Sequence, residues 1–159
     1  MFQTTLAESK SHHSWSLFMT ELVLDPETSA RLSKIPQKNT KPEKQVCSIV
    51  RALGHSYRKN AKRLPGSPDL SNVSKGWALF VHGCYWHHHE GCSKATVPKR
   101  NTEFWVEKFH KNRARDARKI EELEATGLRV KVVWECELGD MEKVASELAE
   151  FLSRREASL

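Results

Sequence analysis

Between Val81 and Cys92 the chain reads Val-His-Gly-Cys-Tyr-Trp-His-His-His-Glu-Gly-Cys, and this segment restricts the fold more than any other. Cys84 and Cys92 bracket His87, His88 and His89, and a further thiol, Cys136, comes much later in the chain. Three thiolates and one imidazole form a closed tetrahedral set of the kind that holds structural zinc. The loop follows one short apolar run, Trp77 to Val81, and Cys136 follows another, Leu128 to Trp134. Continuous apolar runs of that length suit buried strands. Zinc therefore requires the two strands to be neighbours, with their ends on the same side. A disulfide suits a reduced intracellular chain less well, and unligated cysteines beside solvated histidines are the plain alternative. Cys47 sits between apolar helix positions and is expected in the core.

The rest of the chain is compatible with that arrangement. Thr40-Lys-Pro-Glu43 has the form of a capping box with an early proline. Val46, Ile49, Val50 and Leu53 then recur at helical spacing before Gly54. Leu64-Pro-Gly-Ser-Pro68 is a rigid turn leading into Asp69. Thr102 to Thr126 reads as one helix with Trp105, Phe109, Asn112, Asp116, Ile120 and Leu123 along a stripe. The two polar residues in that stripe break local consistency, which tends to mark function. Asp140 caps a last helix with Met141, Val144, Ala145, Leu148 and Leu152 facing inward. Helix, strand, strand, helix, strand, helix is an α/β layered order. Residues 1–38 read as a partly ordered arm, since Asp25-Pro26 and Ile35-Pro36 disfavour helix, and residues 39–159 form one domain. A chain of 159 residues has room for little more.

Charge points to a polyanion. The formal net charge is +6, but residues 94–120 hold 9 Lys and Arg against 3 Asp and Glu, whereas residues 121–159 hold 5 against 10. A basic middle beside an acidic tail suits nucleic acid, although a solvated helix face would look the same. No apolar run approaches the ~18 residues of a membrane span, and the first fifteen residues lack the pattern of a secretory signal. A soluble cytoplasmic protein is expected, without a membrane partner.

A second group of residues needs no zinc. Asp69 at the start of a strand, with a nearby main-chain carbonyl, can hold Mg²⁺, which activates water and steadies a leaving phosphodiester oxygen. Asp116 could orient an imidazole such as His82 for proton transfer. Singly, Asp69 reads as a turn acid and Asp116 as an ion-pair partner of Arg113 or Lys119.

Five motifs then occur in order. They are Leu64-Pro-Gly-Ser-Pro-Asp69, Phe80-Val-His-Gly-Cys-Tyr-Trp-His87, Arg100-Asn-Thr-Glu-Phe-Trp105, Asn112-Arg-Ala-Arg-Asp116 and Val133-Trp-Glu-Cys136. From about Ser29 to Leu138 the chain resembles the very short patch repair (Vsr) mismatch endonucleases. The resemblance implies a restriction-endonuclease-like fold, a central mixed sheet flanked by helices. It also implies nicking of one strand of double-stranded DNA beside a T·G mismatch left by deamination of 5-methylcytosine. By motif, Asp69 and the carbonyl of Val81 would hold Mg²⁺, and the family's frequent Thr at the Val81 position would not alter a main-chain ligand. His82 would be the catalytic imidazole with Asp116 as its partner, and His87 a further histidine on the phosphate side. Glu43 would reach the metal through water, in competition with its capping role. The zinc set would be Cys84, His89, Cys92 and Cys136, with His88 as the alternative because this loop carries Glu90-Gly91 where the family can have a single residue. Tyr85, Trp86 and Trp105 would wedge beside the mismatch, where unstacking costs least, and Leu32 would enter the minor groove. The resemblance implies a monomer, since one nick needs one active site, with mismatch-repair proteins as candidate partners. The arm before Ser29 has no counterpart, and the polar stretch Ser71–Lys75 implies a short or distorted strand. Two rivals remain: a zinc-braced DNA-binding module that does not cut, and a nuclease of the same fold that cuts matched sequence.

Overall fold

In a computed structural model of the chain, residues 38–154 are described, together with Ala30, Lys34 and Pro36. Backbone contacts divide the chain into units 1–36 and 37–159. Leu32 and most of the expected arm lie outside the described residues.

Helix α1 (Lys41–Ala52) starts where the capping box places it. The Glu43 N–H donates to Thr40 Oγ1 at 3.4 Å, and the Thr40 N–H donates to Glu43 Oε1 at 3.3 Å, so orphan donors at the helix start are satisfied. A two-residue strand β1 (Arg58–Lys59) follows, then β2 (Leu70–Asn72) and β3 (Trp77–His82). The polar stretch after Ser71 leaves the sheet at Asn72 and forms a short 3₁₀ turn, Val73–Lys75. Helix α2 (Thr102–Glu124), strand β4 (Arg129–Trp134) and helix α3 (Met141–Ser153) complete the order. Among the α-helices and strands of the described residues, β1 alone lacks a counterpart in the sequence reading, because two exposed residues, Arg58 and Lys59, carry no periodicity.

The sheet runs β1-β2-β3-β4, antiparallel except for the parallel pair β3-β4, which α2 connects. Strand β3 is covered on both faces, which explains its unbroken apolar run. Trp77 and Leu79 pack with Val46 and Val50 of α1 and with Val144, Leu148 and Leu152 of α3. Ala78 and Phe80 face the other way, against Leu123 and Leu128, with Ile120 of α2 beside them. Alternate residues of one strand thus serve two helical layers. Cys47 is buried in the first of these cores. Met141, expected to face inward, is 37% exposed, because it opens the helix before the apolar stripe reaches the sheet.

Strand β4 is an edge, and charged residues occupy part of it. Lys131 Nζ donates to Glu147 Oε2 of α3 at 3.1 Å. The Arg129 guanidinium lies 5.0 Å from the Phe151 ring centroid and donates to the Phe151 carbonyl.

The turn before Asp69 depends on Gly66. Its φ is +71°, and a Cβ there would come within 3.0 Å of both Lys119 Cβ and Phe80 Cζ. Gly76 also has a positive φ, +68°, but open space around it. Gly76→Ala is expected to cost about 1 kcal/mol from conformation alone. Gly66→Ala adds a clash worth about 1–3 kcal/mol more. Urea denaturation of the two variants checks this, and equal losses would show that the close approach at Gly66 is harmless.

Candidate active site and metal cluster

The parallel register pairs His82 with Trp134, so β3 and β4 end together. The chain after β3 turns through Gly83 to Ala95, held by His87 N–H to Gly83 O (3.1 Å), His89 N–H to Cys84 O (3.0 Å) and Cys92 N–H to His89 O (3.1 Å). Cys136 lies two residues past the end of β4. The Sγ atoms of Cys84, Cys92 and Cys136 and a ring nitrogen of His89 all lie within 4.8 Å of one another. His89 Nδ1 is 3.7 Å from Cys84 Sγ and 3.3 Å from Cys136 Sγ. This arrangement can hold a tetrahedral metal ion, and all four cysteines are free thiols. Burial pushes the Cys84 thiol up to about 12, whereas the Lys94 N–H holds Cys92 below its ordinary value. Such a buried thiol ionises readily only against a cation. His88 points elsewhere: its ring stacks on Phe109, 4.6 Å between centroids and 6° between planes.

Around the other side of the loop, His87 Nδ1 is 2.6 Å from Asp116 Oδ2. Burial would raise the Asp116 carboxyl, but the His87 hydrogen bond, with the charges of His87, His82 and Arg115, holds it below its ordinary value. An ionised carboxylate only accepts, so Nδ1 carries the hydrogen and Nε2 of His87 bears the free lone pair whenever the ring is neutral. This corrects the expected pairing of Asp116 with His82. His82 instead stacks face to face on His87, 3.8 Å between centroids and 5° between planes. Burial, with His87 beside it, lowers His82 to about 3, so the ring is neutral at neutral pH. His82, His87 and Asp116 are close enough for a metal, but stacked rings aim their lone pairs in parallel rather than at a common point. The geometry suits proton transfer better. Arg115 Nη2, not Arg113 or Lys119, is the cation near Asp116, at 3.4 Å.

The polar break in the α2 stripe is explained by the same loop. Asn112 Nδ2 donates to the Trp86 carbonyl at 3.1 Å, and Asp116 meets His87. Two residues one helical turn apart thus fasten α2 to the loop.

Asp69 sits just before β2, and the Val81 N–H donates to its Oδ2 at 2.8 Å, which puts the carboxylate beside the Val81 main chain. Burial pushes Asp69 up to about 6 against the pull of the Val81 N–H, and the negative charge of Glu43 pushes the same way. Glu43 is 5% exposed, and its carboxylate accepts from Asn39 N–H at 2.8 Å and from Thr40 Oγ1 at 2.8 Å. The capping box is therefore complete, and Glu43 also acts electrostatically on Asp69. A buried and a half-buried carboxylate that repel each other are the oxygen donors a hard divalent cation accepts.

The aromatic residues form one layer. Tyr85 meets Trp86 edge to face at 5.1 Å and Phe109 at 5.6 Å, with Trp105 tilted at 6.0 Å. Tyr85 and Trp86 are half-buried on the loop, while Trp105 is 3% exposed, with Lys108 Nζ 5.1 Å from its ring centroid.

With this geometry in view, known proteins give a consistent match. The model of the family DNA mismatch endonuclease Vsr matches residues 22–94. The type II nicking enzyme V.XorIIP of Xanthomonas oryzae pv. oryzae is 44% identical over 81% of this chain and 95% of its own length. The DNA mismatch endonuclease Vsr of Escherichia coli K12 is 40% identical over 75% of this chain and 76% of its own. The chain belongs to the Vsr family of DNA mismatch endonucleases. Among the described residues of this Vsr-family endonuclease, no helix is long and apolar enough to cross a membrane.

Two features escaped the sequence reading. Trp134 had no role beyond ending a strand, although its ring lies between His89 and His82. The identity of Asp116's partner also needed the loop conformation, since His82 and His87 are equally plausible by spacing.

Cys136→Ser is expected to drop bound metal from about one equivalent to near zero and to lower the melting temperature. Metal analysis beside a thermal melt checks it, and full metal content in the variant would remove Cys136 from the set. For Asp69 the folded carboxyl keeps its proton up to about pH 6, while the unfolded one releases it near pH 4. Folding thus takes up a proton in that window, and stability falls as pH rises through it. In magnesium-free buffer, Asp69→Asn should melt above wild type near pH 7, with the gap closing towards pH 4. A variant melting below wild type near pH 7 would contradict the burial penalty.

Proposed function

We propose that this Vsr-family endonuclease nicks one strand of double-stranded DNA beside a T·G mismatch of the kind that deamination of 5-methylcytosine leaves. The observation that carries the reading is the Asp116–His87–His82 array, which shares one end of the sheet with Asp69 and the Val81 main chain. Asp69 and the Val81 carbonyl would hold Mg²⁺, which supplies positive charge to the phosphodiester oxygens and lowers the pKa of water. Glu43 lends negative charge to that position through the cap. His87 Nε2 takes the proton of the attacking water, and Asp116 balances the imidazolium. His82 stays neutral beside it, since two stacked imidazoliums would repel, and can hydrogen-bond to the phosphodiester.

Zinc suits the cluster of Cys84, His89, Cys92 and Cys136, three thiolates with one imidazole. It would brace the loop carrying Tyr85 and Trp86, the residues best placed to wedge into a mispaired stack. Trp105 backs Tyr85 and joins such a stack only once that layer opens. Leu32, assigned to the minor groove by motif, lies outside the described residues. The cations of Lys94–Lys119 grip phosphates, so affinity falls steeply with salt. The scaffold is of the restriction-endonuclease-like kind. The protein works as a cytoplasmic, nucleoid-associated monomer, with mismatch-repair proteins as candidate partners.

Labelled duplexes containing T·G, T·A or C·G pairs, incubated with Mg²⁺, test the reading. Nicking of the T strand only at T·G is expected, with at least ~10²-fold loss in Asp69→Ala. Cutting of matched duplex would instead indicate a sequence-triggered nuclease. Tight binding without any cut would leave a zinc-braced binding module.

A further inference from the structure

Trp134 is the last residue of β4 and the register partner of His82 across the parallel pair. Its indole lies flat on His89, 4.0 Å between centroids and 4° between planes. It also meets His82 edge to face, at 5.3 Å and 77°. His82 in turn stacks on His87, and His87 holds Asp116. One indole thus touches both the imidazole of the Cys/His cluster and the imidazole at the outer end of the His82–His87–Asp116 array.

The backbone fixes the indole in place. The Trp134 N–H donates to Glu137 Oε2 at 2.8 Å, and the Glu135 N–H donates to His82 O at 2.9 Å. Val133, immediately before it, is fully buried. The indole has no proton to exchange in phosphodiester cleavage and takes no part in the steps above. What it supplies is a surface. An imidazole lone pair lies in the plane of its ring, so rotating the ring about its bond to Cβ swings the lone pair off target. His82 has His87 against one face and Trp134 closing another side, which removes that rotation.

We propose that Trp134 is a positioning residue that holds His82, and through the stack His87, in the plane that cleavage requires, and that it makes this orientation depend on His89 of the metal cluster. The cluster then does more than brace a loop: it sets the angle of the proton-transfer rings. The inference rests on the nicking reading for its kinetic test and on the ring geometry alone for its spectroscopic test.

The experiment is a double-mutant cycle on the full chain, using a T·G duplex. Trp134→Leu removes the aromatic surface, Trp134→Phe keeps part of it, and His89→Cys keeps four metal donors while removing the ring beneath the indole. Trp134→Leu is expected to lower kcat by about 10–10²-fold, the scale of a misplaced reacting group, with KM within about twofold and metal content unchanged. Trp134→Phe should recover most of the loss. His89→Cys should lower kcat with metal retained, and the double variant should lose little beyond Trp134→Leu alone, because both substitutions break one chain of contacts. The imidazole C–H resonances of His82 should move in Trp134→Leu as the indole ring current is removed.

Unchanged kcat in Trp134→Leu, a loss confined to KM, or fully additive losses in the double variant would each overturn the proposal. Should Trp134→Leu fail to fold, His89→Cys with full metal content and unchanged kcat overturns it alone. Wild-type protein that cuts no duplex would defeat the nicking reading. In that case, unmoved His82 resonances in Trp134→Leu would defeat this inference separately.

Discussion

Parallel pairing of β3 with β4 is the constraint on which the rest of the site depends. Its register sets His82 against Trp134 and brings Cys84 and Cys136, each two residues beyond its strand, to one end of the sheet. A parallel pair cannot be closed by a tight turn, so a long crossover is required, and α2 fills it. That same helix then returns Asn112 and Asp116 to the loop between the strands. Scaffold, Cys/His cluster and the His82–His87–Asp116 array thus arise from one pairing rather than from three separate devices.

Burial does the electrostatic tuning. It keeps His82 neutral, lifts Asp69 and lifts the Cys84 thiol. Each shift marks a group whose charged form burial disfavours: the Asp69 carboxylate beside Glu43, the Cys84 thiolate and the His82 imidazolium. Asp116 shows the opposite balance, since the His87 hydrogen bond outweighs its desolvation. A carboxylate kept ionised beside an imidazole kept neutral is an environment-driven division of roles between neighbouring titratable groups. Three residues of the Cys/His cluster, Cys84, His89 and Cys92, lie on the same loop as His87.

The three consecutive histidines show how far one dimension can be read. His87 meets Asp116, His88 lies on Phe109, and His89 joins the cysteines. The sequence announces that imidazoles are concentrated here, but neighbouring residues in an irregular loop point in directions that no period predicts. His88 has a positive φ of 46°, and that local twist helps separate the three directions. Motif matching therefore left His88 and His89 as alternatives for the cluster and assigned Asp116 to His82, whereas the hydrogen bond goes to His87. Met141 was misplaced for a related reason: helical periodicity gives a face, but not how far along the helix that face is covered.

By itself, the sequence determined the elements and the chemistry available to them. The capping box at Thr40 and Glu43, the apolar runs of β3 and β4, the interrupted stripe of α2 and the Cys/His cluster are all local patterns. Each follows from side-chain chemistry within a few residues. Only the tertiary structure decided which donor meets which acceptor: His87 on Asp116, Asn112 on the Trp86 carbonyl, Trp134 between His89 and His82. Those contacts join residues far apart in the chain, and their angles depend on strand register and loop twist. Both are set by how the whole core packs, so neither can be read from any short stretch of the chain.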